Sequence, residues 1–436
     1  MKRVLIITYY WPPSGGAGVQ RWLKFVKYLP GFGWEPIIIA PDPDRATYPA
    51  MDQSLKNEVG KNTRVIHTEG DGSFRLYKKF FGKKQLPSAG FANNTEKNSF
   101  MDKFSRFIRG NFFIPDPRKG WNKHAEKAAK EIIHDTGVDI IITTGPPHST
   151  HLIGLTLSSQ FGIPWLADFR DPWTDIYYYR DFYPTPPAHR LNVRLEKKVI
   201  SNANHIVTVS RGLKNILVEK NWCSAEKITV IHNGFDKDDF LNIPEPDRER
   251  FTITYVGTLS DAYPIDSFIQ AITELLESGT DLELRFIGSV SRNQRNKLGA
   301  IPNNHIIYVP YVDHDKAIEY MGLSNLLLLI LPEHTSTQGI LTGKLFEYLA
   351  SKRPILGIGP HDCDAAVILS ECDAGVMAGY SDETQMRSFI SESINSHTPR
   401  NEKLSKPCQR FSRKKLTQQL TEILYTMIDQ SQTGNN

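Results

Sequence analysis

The stretch TGKLFEYLASKRPILGIG, Thr342 to Gly359, gathers residues suited to holding a phosphorylated ligand. Thr342 and Gly343 stand where a helical pattern begins. The free backbone N–H groups of a first turn, together with a hydroxyl, can hold a phosphate there. Lys344 puts a cation into that turn, the wrong sign for the helix dipole, and a bound anion explains it better than helix stability does. Glu347 lies one turn on from Gly343, facing the same ligand, where its carboxylate can accept from the vicinal hydroxyls of a ribose. The competing reading is an ordinary surface lysine and glutamate.

Three further loops carry candidate residues where strands end. In PPSGGAGVQ (Pro12 to Gln20), Gly15, Gly16 and Gly18 let the backbone approach a ligand closely, and the helix that follows favours an anion or a polar sugar group. A dinucleotide fingerprint would need a third glycine at Arg21 and a shorter lead than the six residues Tyr9 to Ser14; a plain tight turn is the other alternative. GPPHSTH follows a strand, so His148 falls in a strand-to-helix loop, where such folds bind ligands, and His151 lies three residues on in the helix. Either imidazole can orient a hydroxyl; loop position favours His148, and a satisfied structural histidine is the alternative. ADFRDPWTD (Ala167 to Asp175) also follows a strand. Its Asp168, Arg170 and Asp171 concentrate charge at the strand's carboxyl end, either as a site or as an internal Arg–Asp brace. Trp173 can stack on a sugar or fill the domain edge.

These loops need strands to position them. Arg3 to Thr8 is a continuous apolar run of the kind buried on both faces of a parallel sheet. Pro36 to Ala40, Val138 to Thr143, Pro164 to Ala167, His205 to Val209 and Lys227 to Ile231 read as further strands. Helical patterns at Val19 to Tyr28, Trp121 to His134 and Thr150 to Phe161 separate them, and this alternation predicts a doubly wound α/β sheet. It pauses at Pro244-Glu245-Pro246-Asp247, a proline-bracketed linker. It then resumes with strands at Phe251 to Val256, Leu282 to Ile287, His305 to Val309, Leu326 to Ile330 and Pro354 to Ile358. A last helix, Lys414 to Ile428, lines Leu416, Leu420, Ile423, Leu424, Met427 and Ile428 on one stripe. The expectation is two Rossmann-like domains in tandem with a cleft between them. The first spans 1–245 with an insertion near 45–120, the second 246–408, and a segment 409–436 carries a helix that crosses back to the first domain.

A chain of 436 residues exceeds what one hydrophobic core usually covers. With 40% hydrophobic and 23% charged residues, disordered, collagen-like and disulfide-scaffold classes are excluded, and a net charge of +4 does not by itself indicate a nucleic-acid binder. The longest apolar run, Leu326 to Leu331, falls far short of the roughly 20 residues of a membrane span. The first strand is too brief for a secretory segment. Cys223, Cys363, Cys372 and Cys408 show no paired metal spacing and read as free thiols of a cytoplasmic protein.

One segment stands apart. Between Arg75 and Lys123, 12 basic and 3 acidic residues leave the rest of the chain at −5, and 10 of its 49 residues are aromatic. The bias sits in Arg75 to Lys84 (RLYKKFFGKK) and in Met101 to Phe113. In the latter, Phe104, Phe107 and Ile108 share a helical face with Lys103, Arg106 and Arg109 around it, as in helices that lie on an anionic membrane. A folded insertion with its aromatics packed inward is the alternative. No nucleic-acid-binding module accompanies the basic stretch.

The motifs occur in a recognisable order: the glycine-rich first loop, VTVSRGL (Val207 to Leu213), VIHNGFD (Val230 to Asp236), YVGTL (Tyr255 to Leu259), FIG (Phe286 to Gly288) and KLFEYLASKRPIL. The ordered set covers nearly the whole chain and resembles the retaining glycosyltransferases of family 4, in the branch with a KLFEYLA-type donor motif. That resemblance implies the two-Rossmann GT-B fold and a nucleotide diphosphate sugar held by the second domain. Gly257 and Thr258 would lie near the diphosphate, Lys344 against it and Glu347 at the ribose, with Gly15, Gly16, Gly18, Thr342 and Gly343 also on the donor side. It implies no metal and no cofactor, cation and helix dipole taking the metal's place, which agrees with the lack of a clustered Asp/His motif. Retention is ascribed to front-face attack without a side-chain nucleophile. One departure matters: where the family often carries a Glu eight positions before Glu347, this chain has Gly339, and Glu333 is out of register. Backbone amides from Gln338 and Gly339 to Leu341 would contact the sugar instead, which leaves the sugar's identity open.

On this reading His148 and Asp171 are the catalytic candidates, and Asp168 and Arg170 belong to the acceptor side. The expected reaction moves a hexose or N-acetylhexosamine onto an acceptor hydroxyl of a lipid-linked or surface-polysaccharide intermediate. The Arg75–Lys123 segment would dock on the anionic inner face of the cell membrane, with no nucleic acid as partner. Two alternatives stay open. One is a nucleotide-sugar epimerase of the same fold, which would want several acid/base carboxylates around the donor sugar. The other is a non-catalytic peripheral-membrane scaffold.

Overall fold

The computed structural model describes residues 1–70, 100–246, 250–333, 339, 341–396 and 404–433. The chain forms two α/β units. One comprises the chain up to His232 together with the helix from Lys414, and the other runs Asn233–Arg413. The proline-bracketed stretch read as a linker therefore lies inside the second unit.

The first sheet contains β1 (Lys2–Ile7), β2 (Trp34–Pro41), β3 (Arg64–Thr68), β4 (Ile140–Gly145), β5 (Trp165–Phe169), β6 (His205–Thr208) and β7 (Ile228–Val230), all parallel, in the order β3-β2-β1-β4-β5-β6-β7. Side chains alternate across a strand. Leu5 and Ile7 thus enter one core with Ile37, Ile39, Trp121 and Trp165, while Val4 and Ile6 enter the opposite one with Trp22, Val26 and Ile38. Burial on both faces is why β1 reads as an unbroken apolar run. The second core is completed from the far end of the chain: the helix Arg413–Thr433 contributes Leu416, Leu420, Leu424, Met427 and Ile428. Its Tyr425 hydroxyl donates to the Phe32 carbonyl at 3.0 Å. The C-terminal helix does return to the first domain.

The second sheet contains β8 (Phe251–Val256), β9 (Leu282–Ile287), β10 (Ile306–Val309), β11 (Leu326–Ile330), β12 (Ile355–Ile358) and β13 (Gly375–Ala378), also parallel, in the order β10-β9-β8-β11-β12-β13. The leucine run of β11 again divides by parity, Leu327 and Leu329 to one core and Leu326, Leu328 and Ile330 to the other.

Two strands escape the sequence pattern. β3 and β13 are edge strands of five and four residues with mixed exposure, so neither carries a long apolar signal. They nevertheless complete the topology, and topology locates the sites. Strand order reverses between β1 and β4 in one unit and between β8 and β11 in the other. In open parallel sheets ligands bind at the carboxyl ends of the strands flanking such a reversal.

Candidate functional site

In the second unit, the switch point brings together the loop after β8 and the helix Gly343–Ser351. Gly257, just past β8, has φ +124°, a region left to glycine, and a Cβ there would stand 3.0 Å from the Lys344 ammonium. Lys344 Nζ donates to the Tyr255 hydroxyl at 3.0 Å and lies 4.2 Å from the centre of that ring. Tyr255 is itself fixed, its hydroxyl donating to the Thr258 carbonyl at 2.8 Å. Burial lowers Lys344 to about 8, against the opposing effect of Glu347. Thr342 is the N-cap of the helix, yet its side chain makes no capping bond and its buried hydroxyl has no partner. An unpartnered hydroxyl, a helix start without a side-chain cap and a cation held by an aromatic ring therefore converge beside Gly257, Thr258 and Gly343, an arrangement fit for a diphosphate.

Glu347, one turn on, keeps partial exposure, with His314 Nδ1 3.9 Å from Oε1; on its other side His314 Nε2 is 3.6 Å from Asp239 Oδ2. Sequence reasoning missed His314, because it arrives from a different helix, His314–Gly322, with no motif around it. Tyr255 lay inside a quoted motif, but its service to Lys344 depends on two elements 89 residues apart. Gln338 lies outside the described residues, and Gly339 is partly buried.

In the first unit the glycine loop opens a helix, with space beside Gly16. Gly16 has φ +97° and caps the helix Ala17–Tyr28, and the Gly15 N–H donates to the Ala50 carbonyl at 2.9 Å. At Gly18 the close approach comes from within the protein: a Cβ would stand 2.5 Å from Arg170 Nη1. Arg170 donates to the carbonyls of Gly18 (2.7 Å), Pro146 (2.5 Å) and Gly145 (3.2 Å), tying the loop after β5 to the first turn of the helix Ala17–Tyr28 and to the end of β4.

Asp168 is fully buried and saturated. It accepts from Arg21 Nη2 (2.9 Å), Trp22 Nε1 (2.7 Å) and the Thr144 hydroxyl (2.9 Å). Asp168 and Arg170 are the residues expected on the acceptor side. Their hydrogen bonds are spent on framework, the Arg–Asp brace taking the form Arg21–Asp168 across two elements rather than Arg170–Asp168 within one loop. Asp171 remains partly exposed, and burial raises its carboxyl despite Arg170 beside it.

The two histidines separate cleanly. His151 is fully buried, hydrogen-bonded through Nδ1 to the Thr143 hydroxyl at 2.9 Å and stacked on Phe169; burial, then Arg170, lowers it to about 3. His148 is partly exposed, its ring stacked on Trp173 at 4.9 Å, with Nδ1 lacking a partner. Burial, then His151 and Arg170, holds it well below the usual histidine range. The unpartnered Nδ1 of His148 is itself buried, 3.1 Å from where a Cβ on Gly145 would stand, and the Pro172 backbone bonds the ring; of the two imidazoles only His148 is partly exposed.

The helix Phe100–Phe112 is held by Asn111, which donates to the Tyr183 carbonyl at 3.0 Å and accepts from the Thr185 N–H at 2.7 Å. Lys103, Phe104, Phe107 and Phe112 are exposed and Ile108 is partly so, while Arg109 turns inward over the Phe182 ring. Arg75 to Lys84, the other half of the basic segment, lies outside the described residues. Among the described residues no helix is long and apolar enough to cross a membrane.

A family model described as Glycosyltransferase Family 4 matches residues 15–239, just over half of the chain. A search of curated proteins finds no match. Among solved structures, the chain is similar to a sucrose-phosphate synthase from Thermosynechococcus elongatus at 13% identity, over 98% of this chain and 100% of that one, with a TM-score of 0.63. It is similar to a glycosyltransferase from Rickettsia africae ESF-5 at 16% identity, over 98% and 99%, with a TM-score of 0.60. A UDP-N-acetylglucosamine 2-epimerase matches at 13%, over 97% and 96%, with a TM-score of 0.53. At such identities the likeness is one of fold, and that fold is the two-domain GT-B arrangement.

Proposed function

The chain belongs to glycosyltransferase family 4, and from that premise we propose that it moves a sugar, with retention, from a nucleotide diphosphate sugar to an acceptor hydroxyl. The observation that carries this reading is the Lys344 ammonium, held by Tyr255 beside Gly257 and next to the unpartnered Thr342 hydroxyl. In the step itself the bond from C1 of the sugar to the phosphate oxygen breaks as the bond to the acceptor oxygen forms on the same face. The acceptor proton passes to the leaving phosphate oxygen. Lys344 and the first-turn N–H groups stabilise the charge growing on the diphosphate, and Glu347 holds the ribose. On the acceptor side His148 and Asp171 orient the attacking hydroxyl.

The acceptor is a lipid-linked or surface-polysaccharide intermediate, and the sugar a hexose or N-acetylhexosamine. Exposed Phe104, Phe107 and Phe112 beside Lys103 support peripheral docking at the anionic inner face of the cell membrane. An epimerase would need carboxylates around the donor sugar, and Gly339 offers none where family members often carry one.

The test is a thermal-shift panel of nucleotide sugars, since a ligand at a hundred times its Kd stabilises by about 2.7 kcal/mol. At least one nucleotide diphosphate sugar should raise Tm in the wild type and much less in Lys344→Ala. A panel with no response, or an equal response in the variant, defeats the reading.

A further inference from the structure

We infer that the acceptor carries a phosphate group and is anchored by it on Arg118, with Tyr9, Tyr10 and Tyr48 around the anchor and Arg109 as a second cation. Calling the ligand an acceptor rests on the glycosyl-transfer reading; the anion site stands on the following geometry.

Arg118 is only 7% exposed, its Nε has no partner, and among the described residues no carboxylate pairs with its guanidinium. The nearby carboxylate, Asp116, is already engaged. It accepts from the Ser149 N–H (2.7 Å), the Ser149 hydroxyl (2.9 Å) and the backbone N–H of Arg118 itself (2.9 Å). Arg118 lies 6.0 Å from the centre of the Tyr9 ring, and Tyr48, 6.2 Å from Tyr9 and 6.3 Å from Tyr10, buries a hydroxyl that also has no partner. Arg109 stands close enough for the charge of Arg118, after burial, to lower it to about 10. Tyr10, Tyr9 and Asp116 offset the burial of the Arg118 cation, but its buried Nε is left without a partner, and a bound anion would supply one. Two forked cations with a phenol to donate suit a phosphate, with its several acceptor oxygens, better than a neutral hydroxyl.

Position joins this anchor to the reacting end. By bonding Ser149, the residue after His148, Asp116 pins the loop that carries Arg118 against the start of the helix Ser149–Phe161. A ligand held at Arg118 would therefore lie at the same edge of the sheet as His148.

The test is calorimetric titration with inorganic pyrophosphate of the wild type, Lys344→Ala, Arg118→Gln and the double variant. Two sites are expected in the wild type. In the Lys344→Ala background the remaining site should weaken roughly ten- to a hundredfold on Arg118→Gln, the usual loss for a charged hydrogen bond. Arg118→Lys should recover part of it. Should Arg118→Gln fail to fold, Arg109→Gln in the same background decides, with a severalfold loss expected. If Lys344→Ala alone abolishes pyrophosphate binding, or the second substitution changes nothing, the phosphate anchor is wrong while the donor reading stands. If Lys344→Ala leaves pyrophosphate binding unchanged and Arg118→Gln removes it, the donor reading fails and the anchor survives. Glucose 1-phosphate and dodecyl phosphate below its micelle concentration then separate sources. Preference for either supports the anchor and names a soluble or a lipid-borne phosphate, and binding of neither overturns it.

Discussion

If Lys344 meets the donor diphosphate as proposed, binding is a proton-coupled event, and the pH dependence follows from the surroundings of that lysine. In the free protein burial lowers the ammonium to about 8. A diphosphate against it restores at least the ordinary lysine value of about 10.5. Binding above pH 8 must therefore take up a proton, and affinity falls about tenfold for each further pH unit until the bound-state value is approached. Between pH 7 and 9.5 the Kd for a nucleoside diphosphate should rise about 30-fold, roughly 2 kcal/mol. Titrations at pH 8.5 in two buffers of different ionisation enthalpy should register uptake of about three-quarters of a proton. Tyr255, held well above its ordinary value by burial, stays neutral across this range and adds no slope. The matching nucleoside, which lacks phosphate, should bind equally at both pH values. Lys344→Arg, charged throughout, should lose the slope while retaining discrimination for the diphosphate. Absence of proton uptake, or the same slope for nucleoside and diphosphate, would refute the placement of Lys344 at the phosphates.

Glu347→Gln should weaken a ribonucleotide but not its 2′,3′-dideoxy analogue, because the amide offers one acceptor oxygen where the carboxylate offers two; a variant that still discriminates as the wild type does removes Glu347 from the ribose. His148→Ala and Asp171→Asn should lower kcat with donor Kd unchanged, whereas Asp168→Asn, which breaks a saturated buried pair, should lower Tm instead; the reverse pattern exchanges their roles. Acid should destabilise the first unit through His151. Its folded value of about 3 lies below the unfolded one, so the unfolded chain binds the extra proton and stability is lost as pH falls below about 6.5. That loss is about 2 kcal/mol by pH 5, and denaturant curves of His151→Phe should show a shallower fall over that range, an identical fall counting against it. Phe104→Ser with Phe107→Ser should reduce sedimentation with anionic liposomes at low salt; unchanged binding, or no wild-type binding, ends the membrane reading.

Much of this molecule is legible in its sequence because parallel sheets bury both faces of their strands. Unbroken runs such as Val4 to Ile7 and Leu326 to Ile330 can be little else in an alternating α/β chain. The donor motif is equally local: Thr342, Lys344 and Glu347 lie within two helical turns, so their mutual placement follows from helix geometry alone. The edge strands β3 and β13 were not legible, since short strands with mixed exposure carry no periodic signal. Nor were the roles of charged residues whose partners are remote in the chain. In ADFRDPWTD, Asp168, Arg170 and Asp171 are of similar promise, and only tertiary structure separates them: Asp168 meets Arg21 across 147 positions, and Arg170 reaches Gly18 across 152. The same holds for His148 against His151, three residues apart on one helical start, where packing against Phe169 buries one and leaves the other partly exposed. Sequence alone settles what a residue can do to its near neighbours, because covalent geometry fixes those distances. Whether a cation is spent on a carbonyl, paired with a carboxylate or left for a ligand depends on which distant segment the fold brings against it, and for Arg118, beside Tyr9 from the other end of the unit, that is known only once the sheet is assembled.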